Sequence, residues 1–368
     1  RGAGVQAGAA VGRGRVPVRA LVLAGGAGSR LRPITHTQAK QLIPVANVPI
    51  LFHVLGQIRD AGIEDVGIVT GTTGAEVRAA VGDGSAWGLR VTYIPQAEPL
   101  GIAHAVLTAE DFVRGEPFLL FLGDNLLLEG VTRFVRGFEA TAPDAQILLT
   151  RVTEPEHFGV AVVEGERVVR LVEKPREFVS DIALVGVYLF RDSVLEACRT
   201  LTPSWRGEYE ITEAIQWLID EGFAVRAEMV DGWWKDTGRP EDLLEANRLL
   251  LAATTPRIDG TVDAATSVEG AVIVEAGARV ARSRLRGPIV VGAEVVVEDA
   301  DLGPHVSLSR GCVVRGGSIE DSIVMEDCRI EGVRLRGSLL GRGVEVLGKE
   351  SPGVHRLVLG DQSRVEVD

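Results

Sequence analysis

Only three cysteines, two methionines and three tyrosines occur in 368 residues, and aromatic side chains make up 5% of the chain. Cys198, Cys312 and Cys328 are unevenly spaced and fit no metal-ligand pattern, so neither a disulfide framework nor a zinc module is indicated. Buried, reduced thiols in a cytoplasmic protein are the expectation. No apolar run approaches the ~18 residues that a membrane span requires. An excess of basic charge is missing too: 39 Lys and Arg stand against 51 Asp and Glu, a net charge of −12. A nucleic-acid partner is therefore not expected, whereas an anionic small substrate, which answers to local cations, is compatible. His36, His53, His104, His157 and His305 form no metal spacing, and none has a Ser or Cys partner of hydrolase type.

What the chain does have is length for two domains and a hydrophobic content of 46%. Residues 1–17 are rich in Gly, Ala and Arg and lack the apolar centre of a secretion signal; a disordered extension is expected there. From residue 18 strand-like and helix-like segments alternate. Strands read at 19–24, 66–70, 91–94 and 118–122, and helices at 49–61, 75–81, 102–111 and 131–141. Several strands are continuous apolar runs, as expected when helices cover both faces of a sheet. This predicts a doubly wound, mostly parallel, Rossmann-like α/β domain over 18–253, denser in strand from 146 to 190 and closing with a helix over 240–252.

Beyond residue 254 the texture changes. Gly, Val and Glu dominate, and apolar residues recur every sixth position at Val290, Val296, Leu302, Leu308 and Val314, with a slip near Gly316-Gly317. Six is too long for strand alternation and does not suit a helix. It predicts a hexapeptide-type β-helix over 254–368.

The residues that carry chemistry begin with an apolar strand running into Gly25, Gly26 and Gly28, followed by Arg30 and Lys40. Glycines let backbone N–H groups approach an anion closely, and two nearby cations can neutralise a triphosphate. A P-loop would need Lys directly after its last Gly, and a Rossmann fingerprint would need a third Gly; neither fits. The pattern G-G-x-G-x-R-L-x-P…K-Q-L-x-P resembles the signature loop of the sugar-1-phosphate nucleotidylyltransferases, and within them the glucose-1-phosphate thymidylyltransferases. Asp124 closes the strand FLLFLGD, where a carboxylate is costly without a cation or hydrogen bonds, and Asp236 in WWKDTGRP is the natural second acid. Magnesium prefers one or two protein carboxylates plus substrate phosphates.

The resemblance covers 18–252 densely and the C-terminal region loosely. It implies transfer of a thymidylyl group from dTTP to glucose 1-phosphate, with UTP as the alternative donor. It assigns Arg30 and Lys40 to the reacting phosphates and Gly25, Gly26, Gly28, Gln41, Gln96, Gly101 and Asp124 to the nucleotide. Asp124 and Asp236 would hold Mg2+. Gly159, Glu173, Val185, Arg206 and Glu208 would serve the sugar phosphate, with Lys174 at its phosphate. The long members found beside deoxysugar biosynthesis carry a left-handed β-helix, and a homo-oligomer is expected. Two other readings compete: a bifunctional enzyme whose coil also transfers an acyl group, with His305 as base, and a non-catalytic sugar-nucleotide sensor. Because every motif precedes residue 258, the coil is expected to serve assembly and stability more than chemistry.

Overall fold

The computed structural model describes residues 17–165, 167–348 and 353–367. The extension expected at 1–17 lies outside the described residues, apart from Pro17. The strand Arg19–Ala24 sits inside a nine-stranded sheet, parallel to Asp65–Thr70 on one side and to Phe118–Leu122 on the other, with Arg90–Pro95 parallel beyond. Its side chains alternate between two cores. Ala20, Val22 and Ala24 face a cluster with Leu51 and Leu55 of the helix Ile50–Asp60 and Phe134 of Thr132–Thr141. Leu21, with Phe118 and Leu120, faces the helices Ile102–Thr108, Ser193–Thr200 and Ile211–Asp220. Burial on both faces explains why these strands read as unbroken apolar runs.

The parallel order expected from the strand–helix alternation holds from Arg19 to Leu122. Beyond it the sheet is mixed. Ile182–Phe190 runs antiparallel to Phe118–Leu122, and Ala145–Arg151 antiparallel to Ile182–Phe190. The hairpin Gly159–Glu164/Arg167–Glu173 joins the first half of that long strand through the pair Ala183↔Val160. A tight hairpin cannot join parallel strands, so this stretch, which has no crossover helix, builds antiparallel pairs. The helix expected over 102–111 is two pieces, Ile102–Thr108 and Glu110–Val113.

A helix at Pro240–Ala252 ends the α/β domain, and the coil begins at Arg257–Ile258. The coil has three parallel sheets of seven, seven and six strands. Arg279 stacks on Val296 and Val296 on Val313, a repeat of seventeen, which shortens to sixteen where Val313 stacks on Arg329. Three hexapeptide sides would take about eighteen residues, so these turns fall one or two residues short. Leu302, Leu308 and Val314 line the interior as the six-residue period predicts, and two of the five expected positions are off by one. Val291 and Val297 are in the coil's core with Leu302 and Leu308, whereas Val290 faces outward and Val296 is half-buried outside. Adjacent valines at 290–291 and 296–297 are apolar in either phase, which is why periodicity alone picks the wrong neighbour at those two places.

The apolar outer phase has its own use. Ile273, Val290, Ser307, Ile323 and Leu339 stack on consecutive rungs of one sheet and are all buried. Val290 and Ile273 meet Leu251 of the last helix. Ser307 donates to Asn247 Oδ1 at 2.6 Å. Ile323, Met325 and Leu339 form one cluster with Leu31, Ile34, Ile43 and Val45, which flank Lys40 in sequence. Gln38 Nε2 reaches Met325 Sδ at 3.2 Å, and Thr37 Oγ1 donates to Asp361 Oδ2 at 2.7 Å. The coil thus lies directly beneath the segment that follows the glycine loop, closer to the chemistry than the order of motifs implies.

Candidate active site

The parallel strands end level with one another: Ala24 pairs with Thr70, Thr70 with Pro95, and Leu23 with Leu122. The next residues, Gly25, Gly71, Gln96 and Gly123, therefore form a row at the carboxyl edge, where ligands of open α/β sheets bind. The row is tight. A Cβ on Gly71 would lie 2.7 Å from the Gly25 carbonyl oxygen, and one on Gly123 would lie 2.8 Å from that of Leu23. Gly28 is left-handed at φ +61°, and a Cβ there would strike Thr35 at 2.9 Å and Lys40 Cβ at 3.0 Å. Its role is to fold the loop back, with Thr35 Oγ1 donating to the Gly28 carbonyl at 2.7 Å, so that Lys40 arrives beneath it.

Lys40 is 8% exposed and hydrogen-bonds the Asp124 carboxylate, with Asp236 Oδ1 at 3.9 Å. The two acids are neighbours because Trp234–Asp236 pairs antiparallel with Asn125–Leu127, placing Asp236 opposite Asn125. Asn125 ties this corner. Its Nδ2 donates to Asp124 Oδ1 at 3.0 Å, and its Oδ1 accepts Trp234 Nε1 at 2.6 Å and the Gly186 amide at 3.2 Å. Thr237 donates to the Asp124 carbonyl through Oγ1 at 2.8 Å and through its amide at 3.1 Å. The sequence reading missed Asn125 and Thr237 as organisers; each adjoins a chosen acid, but the strand pairing that gives them work is not local.

Electrostatically, two acids share one close cation, with Arg30 acting on Asp236 from further off. Burial opposes the Lys40 ammonium, but the charges of Asp124 and Asp236 outweigh it and hold its pKa above the ordinary lysine value. Burial also opposes the Asp124 carboxylate, yet the charge and hydrogen bond of Lys40 keep it below the usual range. Asp236 is left over: burial, then the Asp124 charge, push its carboxyl up to about 6. Its Oδ1 is buried without a hydrogen-bond partner. An orphaned carboxylate oxygen beside a second acid suits a divalent cation. Among the described residues no group of three or more His, Cys, Asp or Glu could hold a metal, so any ion here would share its remaining positions with water and substrate oxygens.

Two hollows flank the cluster. One, of about 330 Å3, is lined by Gly25, Gly26, Gln41, Gln96, Gly101 and Asp124, joined by Glu208. It gathers six of the residues assigned to the nucleotide; Gly28 stays behind as a hinge. Gln41 Oε1 is buried and unpartnered there. Gly101 has φ +103°, and a Cβ on it would lie 2.6 Å from the Tyr209 carbonyl oxygen. The other hollow, on the far side of Asp236, is lined by Arg30, Arg151, His157 and Arg239 among others. Arg30 thus stands at the opposite edge from the glycine cavity, its Nη2 3.3 Å from where a Gly238 Cβ would be.

The residues assigned to the sugar phosphate form a third group. Glu173 pairs with Gly159 across the hairpin, and a Cβ on Gly159 would meet Thr212 at 2.5 Å. Lys174, at φ +40°, places Nζ 3.5 Å from Glu173. Arg206 is engaged by three carboxylates, Glu173 at 3.3 Å, Glu208 at 2.9 Å and Glu210 at 3.2 Å. Burial and the Glu173 charge raise the pKa of Glu210, which the sequence reading did not single out. Val185 is fully buried in the core with Val187 and Leu189, so only its backbone could face a ligand. His104, read as bland from the sequence, instead holds Gln96 at 2.8 Å.

Three of the parallel strands run out into a glycine, and a lysine lies beside them between two acids. Residues 19–253 match the nucleotidyl transferase family, and the chain belongs to it. It is a nucleotidyltransferase, and its relatives are long as well as similar. A glucose-1-phosphate thymidylyltransferase of Streptomyces griseus is 54% identical over 95% of this chain and 99% of its own. One from Streptomyces antibioticus is 51% identical over the same shares. A solved Bacillus anthracis structure, assigned to the glucose-1-phosphate thymidylyltransferases, superposes with a TM-score of 0.61 at 34% identity, covering 65% of this chain and 98% of that one.

Proposed function

We propose that the chain transfers a thymidylyl group from dTTP to α-D-glucose 1-phosphate, releasing pyrophosphate and giving dTDP-glucose. The observation that carries this is Lys40 held between Asp124 and Asp236 beside the glycine-lined cavity. A phosphate oxygen of the sugar ester attacks the α-phosphorus; that P–O bond forms as the bond to the departing pyrophosphate breaks. No protein nucleophile is needed, so positioning and charge neutralisation do the work. Gly25, Gly26 and Gln41 cradle the triphosphate, while Lys40 and Arg30 offset charge at the α-phosphoryl and pyrophosphate from opposite edges. Asp124 and Asp236 would hold Mg2+, which would supply further charge neutralisation when bound. Gln96 and Gly101 meet the base. Gly159, Glu173, Lys174, Arg206, Glu208 and the Val185 backbone receive the sugar phosphate. An arriving monoester competes with three carboxylates for Arg206, so binding is an exchange of partners.

Full-length relatives named for thymidylyl transfer favour dTTP over UTP. A pyrophosphate-release assay crossing dTTP, UTP, CTP, ATP and GTP with glucose-, galactose-, mannose- and N-acetylglucosamine-1-phosphate tests the reading. The dTTP and glucose 1-phosphate pair should dominate; its inactivity beside another active pair rejects the assignment. A cytoplasmic homo-oligomer belongs to the same reading, and light scattering checks the assembly.

A further inference from the structure

We infer that His104 fixes which end of the Gln96 amide faces the base, and so selects nucleotides that present a ring N–H there. This rests on the reading of the glycine-lined cavity as the nucleotide site. Gln96 follows the strand Arg90–Pro95, and His104 lies in the first turn of the helix Ile102–Thr108. Gln96 Nε2 is 2.8 Å from His104 Nδ1 and 3.4 Å from the Gly101 carbonyl oxygen. A carbonyl oxygen can only accept, so the amide nitrogen belongs on this side. It therefore donates to Nδ1, which must carry the lone pair, and the imidazole proton sits on Nε2. Tyr209 stacks beside the ring with centroids 6.3 Å apart and planes 27° from parallel, holding its orientation.

The consequence falls on the other end of the amide. With its nitrogen turned to His104, Gln96 Oε1 points toward the glycine loop, 3.6 Å from where a Gly25 Cβ would be. An acceptor fixed at that place complements the N3–H of thymine or uracil. It opposes the N3 lone pair of cytosine, which would need a donor. Without His104 only the long contact to Gly101 would resist a half-turn of the amide, and the turned amide accepts cytosine.

The test compares kcat/KM for dTTP and dCTP, with glucose 1-phosphate as co-substrate, in the wild type, His104→Phe, His104→Ala and His104→Gln, with melting curves for each. His104→Phe keeps the ring stacked on Tyr209 and removes only the acceptor; His104→Gln returns an acceptor through its amide oxygen. The wild type should prefer dTTP strongly. His104→Phe and His104→Ala should narrow that preference at least about tenfold, the worth of one hydrogen bond, chiefly through KM. His104→Gln should restore most of it. A merely structural histidine would lower both rates together and leave the ratio unchanged; that result in any folded acceptor-less variant overturns the inference. If the wild type itself used dTTP and dCTP alike, or neither, the nucleotide assignment of the cavity would fail first and take this inference with it.

Discussion

The α/β domain and the coil both stack short parallel strands of Val, Leu and Ile, yet they place charge in opposite ways. The coil pairs its charges in solvent: Arg282 with Asp299 at 2.8 Å, Arg310 with Glu294 at 2.7 Å, Arg315 with Glu298 at 2.9 Å. Each cation of these three pairs has its acid about one rung away, and the core cluster inside is built of apolar side chains and thiols. The α/β domain instead buries Lys40 against two half-buried acids, and leaves Asp236 Oδ1 unpartnered. Exposed balanced pairs contribute little to stability, whereas a partly buried pair of acids around one close cation persists only where something else completes it. On the proposed function, unbalanced charge at a strand end goes with chemistry in this molecule, and balanced charge along the coil goes with scaffold.

The sharpest way to break that contrast is Lys40→Ala. It should cost about a thousandfold or more in kcat/KM, since it removes the cation nearest both acids and the glycine row. Near-normal pyrophosphate release from the folded variant would remove Lys40 from the chemistry. Arg30→Ala should cost less, about a hundredfold, because Arg30 stands at the far edge of the cluster. Next comes Asp236→Asn. It leaves the Lys40–Asp124 contact in place and removes the surplus acid, so activity should fall and the Mg2+ concentration for half-maximal rate should rise at least about tenfold. An unchanged metal titration would place the cation elsewhere.

A finer comparison sits within the coil. Ile323 and Ile330 are both fully buried, but Ile323 packs outward against Leu31 and Ile34 while Ile330 fills the coil's core. Either change to Ala should cost about 2–4 kcal/mol of stability, read from denaturant melts. Only Ile323→Ala should also lower kcat, several-fold, because it loosens the floor beneath the segment that carries Lys40. Equal kcat in both variants would restore the simpler view of the coil as scaffold alone.

Local features made much of this legible in advance. The glycine loop, the apolar strands and the helix over 240–252 announce themselves within a few residues each, and the site residues near them followed. What stayed hidden depends on contacts between distant segments. The pairing of Trp234–Asp236 with Asn125–Leu127 brings the two acids together, and neither three-residue strand has a pattern of its own. His104 looked bland because nothing in its neighbourhood of sequence shows that Gln96 folds back onto it. The coil's phase was misread only at 290 and 296, where a second valine precedes the interior one, and at 290 that outer valine is apolar because it packs on the last helix of the α/β domain.

The smallest effect is expected at Arg282→Ala. Arg282 makes a close two-pronged contact with Asp299, Nε and Nη2 each at 2.8 Å. Good geometry alone would rank it with Lys40–Asp124. Exposure reverses the ranking, because water already solvates both partners and salt screens them. The melting temperature and kcat should stay within replicate scatter of the wild type, at low and at high salt alike. A clear loss of stability that high salt abolished would mean the coil's ladder of pairs acts as a network, and the division between functional and scaffold charge would have to be redrawn.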